Sequence, residues 1–108
     1  MQTSLKIAYH QLPPSPAVEA RIRDLVGDLE KVFDRIVSCR VSIEAPHRHH
    51  HHGGLYRVGI ELGVPGVRLV VGHAPDNDAA HEDLYVALGD SFRAAHRKLD
   101  DYVSRQQP

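Results

Sequence analysis

The amino-acid sequence predicts a two-layer α+β domain with the element order β-α-β-β-β-α. Apolar and polar residues alternate along four short segments, which is typical of strands with one buried face. Along two longer segments, apolar residues recur every three or four positions, as in amphipathic helices. All of these apolar surfaces are buried together if both helices lie on one face of a four-stranded mixed sheet. The length of 108 residues suits one domain, which we place at residues 1–108.

The four alternating segments are predicted strands. Their apolar members are Leu5, Ile7 and Tyr9 in residues 4–10; Val37, Cys39, Val41 and Ile43 in 37–44; Tyr56, Val58, Ile60 and Leu62 in 56–62; and Val67, Leu69 and Val71 in 67–71. Residues 64–66 (VPG) predict a tight turn, because proline presets one backbone dihedral angle and glycine permits a positive φ. The first two strands, joined through a helix, should run parallel, and the remaining pairs should be antiparallel.

The two longer segments are predicted helices. The first, over residues 16–36, begins after a serine that can cap the backbone and has a proline at its first position, where the missing N–H is harmless. The second spans residues 81–105, with Asn77 or Asp78 as its expected cap. One hydrophobic core is expected between sheet and helices. Its predicted members are Leu5, Ile7, Ile22, Leu29, Phe33, Val41, Ile43, Val58, Ile60, Leu69, Leu88, Phe92 and Leu99.

Composition and charge exclude several classes of protein. With 42% apolar and 25% charged residues, the chain is ordinary globular protein. A net charge of −1 excludes a strongly basic domain held on nucleic acid by bulk charge, so any polyanion site must be local. The single cysteine excludes an internal disulfide and suits a reducing cytoplasm. Because the apolar runs are short and no charged-then-apolar leader opens the chain, we expect a cytoplasmic protein without a membrane partner.

Motifs on which enzyme chemistry commonly depends are missing from the sequence. We find no glycine-rich phosphate loop, no nucleophile elbow and no Cys-x-x-Cys pair. Cys39 falls on the inward side of a predicted strand, where a small buried thiol is more common than a nucleophile. We therefore expect no catalytic residues, no enzymatic activity and no small-molecule substrate.

A histidine-rich run lies between the second and third predicted strands. Its members are His47, His49, His50, His51 and His52. Neutral imidazoles bind zinc, copper and nickel, but the run lacks the cysteines or the second cluster that a structural zinc site normally has. One interpretation is a polar hairpin loop that takes up zinc or nickel adventitiously, with no cofactor required. The alternatives are a metal-binding or metal-responsive module that uses residues 47–52, and a cation switched on by acid.

We expect this loop to bind nickel or zinc weakly, and to release the metal below about pH 6 as the imidazoles become protonated. Folding should not depend on the metal, because the predicted sheet and helices have complete apolar faces without the loop. Calorimetric nickel titrations at two pH values, and thermal melts with and without a chelator, measure both expectations. A chelator that lowers the melting temperature by many degrees would show that the metal is structural.

Basic side chains lie in the C-terminal halves of both predicted helices. Lys31 and Arg35 are four residues apart, as are Arg93 and Arg97, and Lys98 follows directly. Like charges at this spacing repel slightly on a helix, and an anion bound over them would offset that repulsion. The dipole of a helix also favours cations near its C-terminus, and this interpretation stays open. These five residues are the candidate anion-binding set.

Four segments resemble a known family. They are residues 29–36 (LEKVFDRI), 64–66 (VPG), 81–88 (HEDLYVAL) and 44–50 (EAPHRHH), and the most specific parts are 33–36 and 82–85. Together with the element order, they resemble the ribosome hibernation-promoting factors. This family of ribosome-associated inhibitors was once described as sigma-54 modulation proteins. The histidine-rich loop is similar to that of one subgroup.

The resemblance implies a non-enzymatic inhibitor of translation with a fold like that of double-stranded-RNA-binding domains. Members of the family occupy the channel of the small ribosomal subunit where tRNA and mRNA bind, and they keep ribosomes idle during stress. The implied partners are the 30S subunit with its 16S rRNA, and the 70S ribosome. Carried over residue by residue, the resemblance assigns rRNA binding to Arg35, Arg93, Arg97 and Lys98, with Lys31 as a further candidate.

Overall fold

Five strands and two helices make up the protein in the computed structural model, which describes residues 3–45, 55–72 and 80–106. In chain order they are β1 (Ser4–His10), α1 (Pro16–Val32), β2 (Ser38–Glu44), β3 (Tyr56–Val64), β4 (Val67–Val71), β5 (Ala80–His81) and α2 (Leu84–Gln106). The predicted order is confirmed. The two-residue strand β5 was not predicted.

The sheet is mixed, with the strand order β1-β2-β3-β4. β1 runs parallel to β2, whereas β2 and β4 are both antiparallel to β3, as predicted. β5 pairs with the first two residues of β3, on the same side of β3 as β4. The hairpin between β3 and β4 turns at Pro65 and Gly66, and Gly66 has the positive φ of 85° that the sequence led us to expect.

The core lies between one face of the sheet and both helices, as predicted. α1 contributes Val18, Ile22, Val26 and Leu29, and α2 contributes Ala87, Leu88, Phe92, Ala95, Leu99 and Tyr102. The strands contribute Cys39, Val41, Ile43, Val58, Ile60, Leu62, Val64 and Val71. Four predicted core residues, Leu5, Ile7, Phe33 and Leu69, pack against this cluster and are only partly buried.

The first helix is shorter than the predicted range of 16–36, because α1 ends at Val32. Phe33 is extended, with φ −152°, and its N–H donates to the Leu29 carbonyl at 3.1 Å as the last bond of the helix. Ile36 is nevertheless fully buried, from the segment that leads into β2. The apolar spacing therefore continued past the helix end, because a residue beyond the helix fills the same core.

The second helix also begins later than predicted, at Leu84 rather than residue 81. The carboxylate of Asp83 accepts hydrogen bonds from the backbone N–H groups of Tyr85 at 2.9 Å and Val86 at 3.4 Å, and so caps the first turn. The predicted caps, Asn77 and Asp78, lie outside the described residues.

Gly27 has no packing role in α1, since a Cβ added there would meet no atom within 4 Å. We expect Gly27→Ala to stabilise the protein by about 0.5–1 kcal/mol, because alanine loses less backbone entropy in a helix. A thermal melt followed by circular dichroism measures the gain. Gly63→Ala is the matched control, since its new methyl group would collide with the Ser38 hydroxyl. A lower melting temperature for Gly27→Ala would show that the glycine has a structural role.

Candidate nucleic-acid interface

The outward side of α2 carries two of the predicted cations. Arg93 and Arg97 are one turn apart and exposed, on the side of the helix turned away from the core. Arg93 forms an ion pair with Asp90, one turn earlier. Arg97 has no ion-pair partner within the described part of the chain. The structure therefore brings Arg93 and Arg97 together on one surface, where their guanidinium groups can meet an anion from solvent.

Lys98 does not belong to that surface, because consecutive residues of a helix point about 100° apart. It lies with Arg105, two turns later, in a groove between α2 and β4 that we name the α2–β4 groove. The groove has a volume of about 600 Å³, and its charged residues are Arg68, Lys98, Asp101 and Arg105. With three cations and one carboxylate, the α2–β4 groove favours anions.

One hydrogen bond fixes the wall of this groove. The hydroxyl of Tyr102 donates to the Pro65 carbonyl at 2.8 Å and so ties the C-terminal half of α2 to the turn before β4. Two cations of the groove, Arg68 and Arg105, are not among the predicted site residues. Arg105 could have been found from its spacing of seven residues after Lys98, which places both on one side of a helix. No spacing in the sequence indicated Arg68, because it reaches the groove from β4 and not from α2.

The two predicted cations of the first helix lie apart from each other. Lys31 is on the last turn of α1, with its Nζ atom 3.9 Å from an Asp28 carboxylate oxygen. Arg35 is beyond the helix, so the expectation that it shares a helix face with Lys31 is wrong. Its guanidinium lies 5.4 Å from the centre of the Phe33 ring, a cation–π distance. Phe33 in turn meets Tyr102 edge-on, with ring centres 5.4 Å apart, so Arg35 stands near the C-terminal half of α2.

Other candidate chemistry has little support in the described residues. Burial raises the pKa of the Cys39 thiol to about 12, which keeps the thiol protonated and unreactive at neutral pH. Nowhere in residues 3–45, 55–72 and 80–106 do three or more metal-ligating side chains come together. The predicted metal ligands at 47–52 lie outside these ranges. None of the described helices is both long and apolar enough to cross a membrane.

The decisive comparison is with protein families. A family model described as "Sigma 54 modulation protein / S30EA ribosomal protein" matches residues 5–107. The chain belongs to this family. The resemblance inferred from the sequence segments is therefore confirmed. Family members are ribosome-associated proteins rather than enzymes. No curated protein matches the sequence significantly.

Two solved structures have the same fold as this chain. A ribosomal subunit interface protein from Coxiella burnetii superposes with a TM-score of 0.77 at 13% identity, over 94% of this chain and 99% of the other. The N-terminal domain of Protein Y from Thermus thermophilus gives a TM-score of 0.75 at 16% identity, with the same coverage of 94% and 99%. At these identities the likeness establishes the fold.

Proposed function

We propose that this protein inhibits translation by binding the small ribosomal subunit through the outward side of α2 and the α2–β4 groove. Bound there, it would contact 16S rRNA, occlude the tRNA and mRNA sites, and hold 30S and 70S particles idle in the cytoplasm during stress. Membership of the S30EA family supports a ribosomal partner. The observation that carries the choice of surface is the exposed pair Arg93 and Arg97 on the outward side of α2, with Arg97 unpaired among the described residues.

The chemistry of these side chains suits RNA phosphates. A guanidinium offers a planar fork of N–H donors that matches two phosphate oxygens. Because the whole chain has a net charge of −1, affinity must come from local contacts rather than from bulk attraction. Arg35 and Lys98 extend the same role towards the C-terminal half of α2, and Lys31 adds a cation on α1. Inhibition then requires no catalytic step, since a bound domain sterically excludes tRNA and mRNA from the same site.

We expect the protein to co-sediment with 30S and 70S particles and to dissociate steeply as salt rises. The four main cations of this surface, taken alone, should give a log–log slope of affinity against salt near −3 to −4, and any further phosphate contact makes the slope steeper. Sedimentation across a salt series measures this slope. A parallel series with a chelator selective for zinc and nickel, at constant magnesium, separates ribosome binding from a metal-dependent response. Absence of co-sedimentation at the lowest salt would contradict the proposal, as would binding that a chelator abolishes.

A further inference from the structure

The face of the sheet opposite the helices carries a second group of cations. Its side chains are those that alternate with the core residues along each strand. The strand register places Lys6 beside Arg40 and Arg40 opposite Glu61. In the next row, Gly63 is opposite both Ser38 and Arg68, on its two neighbouring strands. We name Lys6, Arg40 and Arg68 the open-face triad.

The charges of the triad are poorly compensated within the described chain. Lys6 and Arg40 are like charges on directly adjacent positions, an arrangement that destabilises a sheet unless an anion offsets it. The nearby carboxylate is that of Glu61, which is opposite Arg40 and has an oxygen 4.0 Å from an Arg68 nitrogen. One carboxylate thus stands among three exposed cations, and the cluster keeps a net positive charge.

A shallow depression of about 240 Å³ lies among these side chains. Its lining includes all three residues of the triad, Glu61, and the hydroxyl-bearing Ser4 and Ser38. Neither serine hydroxyl forms a hydrogen bond with any other described residue. Gly63 keeps the floor open, because a side chain there would occupy the place of the Ser38 hydroxyl. The depression therefore offers both cations and neutral O–H donors to an anion.

We propose that the open-face triad is a second RNA-binding surface, which receives the phosphates of an RNA strand on the side of the domain opposite Arg93 and Arg97. From β1 to β4 the triad spans three strand spacings, roughly 14 Å. That span exceeds one phosphate group and suits consecutive phosphates of a strand. The identity of the RNA as ribosomal rests on the proposed function. The preference for phosphate rests on the cations and hydroxyl groups of the depression itself.

The two RNA-binding surfaces are continuous around one edge of the sheet. Arg68 lines both the α2–β4 groove and the open-face depression. A strand that follows the groove can therefore reach the open face without leaving cationic surface. Because the helices and the sheet separate Arg93 from Arg40, a single straight helix of RNA cannot touch both, and the domain would lie between two RNA segments.

The test replaces the triad, and a second variant, Lys6→Gln/Arg40→Gln, leaves Arg68 in place because Arg68 also lines the α2–β4 groove. Both variants should bind 30S particles more weakly than wild type, and wild-type affinity of Lys6→Gln/Arg40→Gln would overturn the inference. The variant Lys6→Gln/Arg40→Gln/Arg68→Gln is compared with Arg21→Gln/Arg23→Gln/Arg57→Gln, which removes the same charge from other exposed positions. Arg23 is paired with Glu19, and Arg57 is opposite Glu44 on the same open face. The triad variant should bind 30S particles at least about tenfold more weakly at 100 mM salt, with a salt slope shallower by about 1 per phosphate-contacting cation removed. The control variant should stay within about twofold of wild type.

Equal affinities for the triad and control variants would overturn the inference while leaving the proposed function intact. If the triple variant does not fold, Lys6→Gln and Arg40→Gln are compared singly with Arg57→Gln in the same assay. A second arm needs no ribosome: wild-type protein labelled with ¹⁵N is titrated with a single-stranded RNA dodecamer at low salt. Amide shifts should include residues 4, 6, 38, 40 and 68 even if 30S binding fails. No shift there, or equal shifts with polyglutamate, would overturn the assignment to RNA phosphates.

Discussion

Reversing two charges on α2, with Arg93→Glu and Arg97→Glu, is expected to abolish co-sedimentation with the 30S subunit. Both side chains are exposed on the outward side of the helix, so the substitutions replace attraction to phosphate by repulsion at the centre of the proposed interface. The melting temperature should stay within a few degrees of wild type, because the lost Arg93–Asp90 ion pair is on the surface and such pairs contribute about 0–1 kcal/mol. Sedimentation at low salt and a thermal melt give the two readings.

The matched control is Arg21→Glu with Arg23→Glu, which makes the same change in net charge on exposed positions of α1. It should bind 30S particles nearly as well as wild type. A variant with serine at His49 to His52 should lose little affinity at pH 7.5, since imidazoles are mostly uncharged there. If the serine variant fails to bind while the α2 variant binds normally, the histidine-rich run rather than α2 faces the RNA.

Truncating Phe92 to alanine is expected to lower the free energy of unfolding by about 3–5 kcal/mol. The ring is only 3% exposed and belongs to the single cluster formed by both helices and the sheet. Its removal costs the transfer free energy of the ring and leaves a cavity that the neighbouring side chains fill only in part. For a domain of this size, such a loss is a large fraction of the total stability.

Urea denaturation measures this loss as a lower transition midpoint with an unchanged slope. Tyr85→Ala in the first turn of the same helix is the control, because that ring is 48% exposed and lies outside the buried side of α2. Its effect should stay below about 1 kcal/mol. A loss of less than 1 kcal/mol for Phe92→Ala would place that ring outside the energetic centre of the core.

Periodicity in the sequence was sufficient to predict the fold because core-facing side chains alternate along its strands, most regularly along β2. Cys39, Val41 and Ile43 are buried and their neighbours are not, so a period of two identifies this strand. The end of α1 was missed for a physical reason. Phe33 and Ile36 continue the helical spacing, yet they reach the core from the non-helical segment after α1, and hydrophobicity alone does not distinguish helix from non-helical chain.

The candidate interface was predictable only where its parts belong to one helix. The spacing of Arg93 and Arg97 correctly placed both on one side of α2. The groove and the open face are tertiary features: Arg68 meets Lys98 across two elements, and Lys6 meets Arg40 through strand register. These residues come together only because particular strands pair, and the residue spacing within one segment does not predict which strands pair.

Arg68 also protects the protein from aggregating with other copies of itself. β4 is an edge strand that pairs only with β3 among the described strands, and four of its five residues are apolar. Val67 is 47% exposed and Val70 is 38% exposed, so among the described residues the outer edge of β4 combines backbone groups that no strand pairs with and apolar surface. The charge of Arg68, the second residue of this strand, opposes the stacking of strands from other copies into aggregates. A neutral residue at position 68 would therefore favour aggregation through β4, whereas lysine would preserve the charge that prevents it.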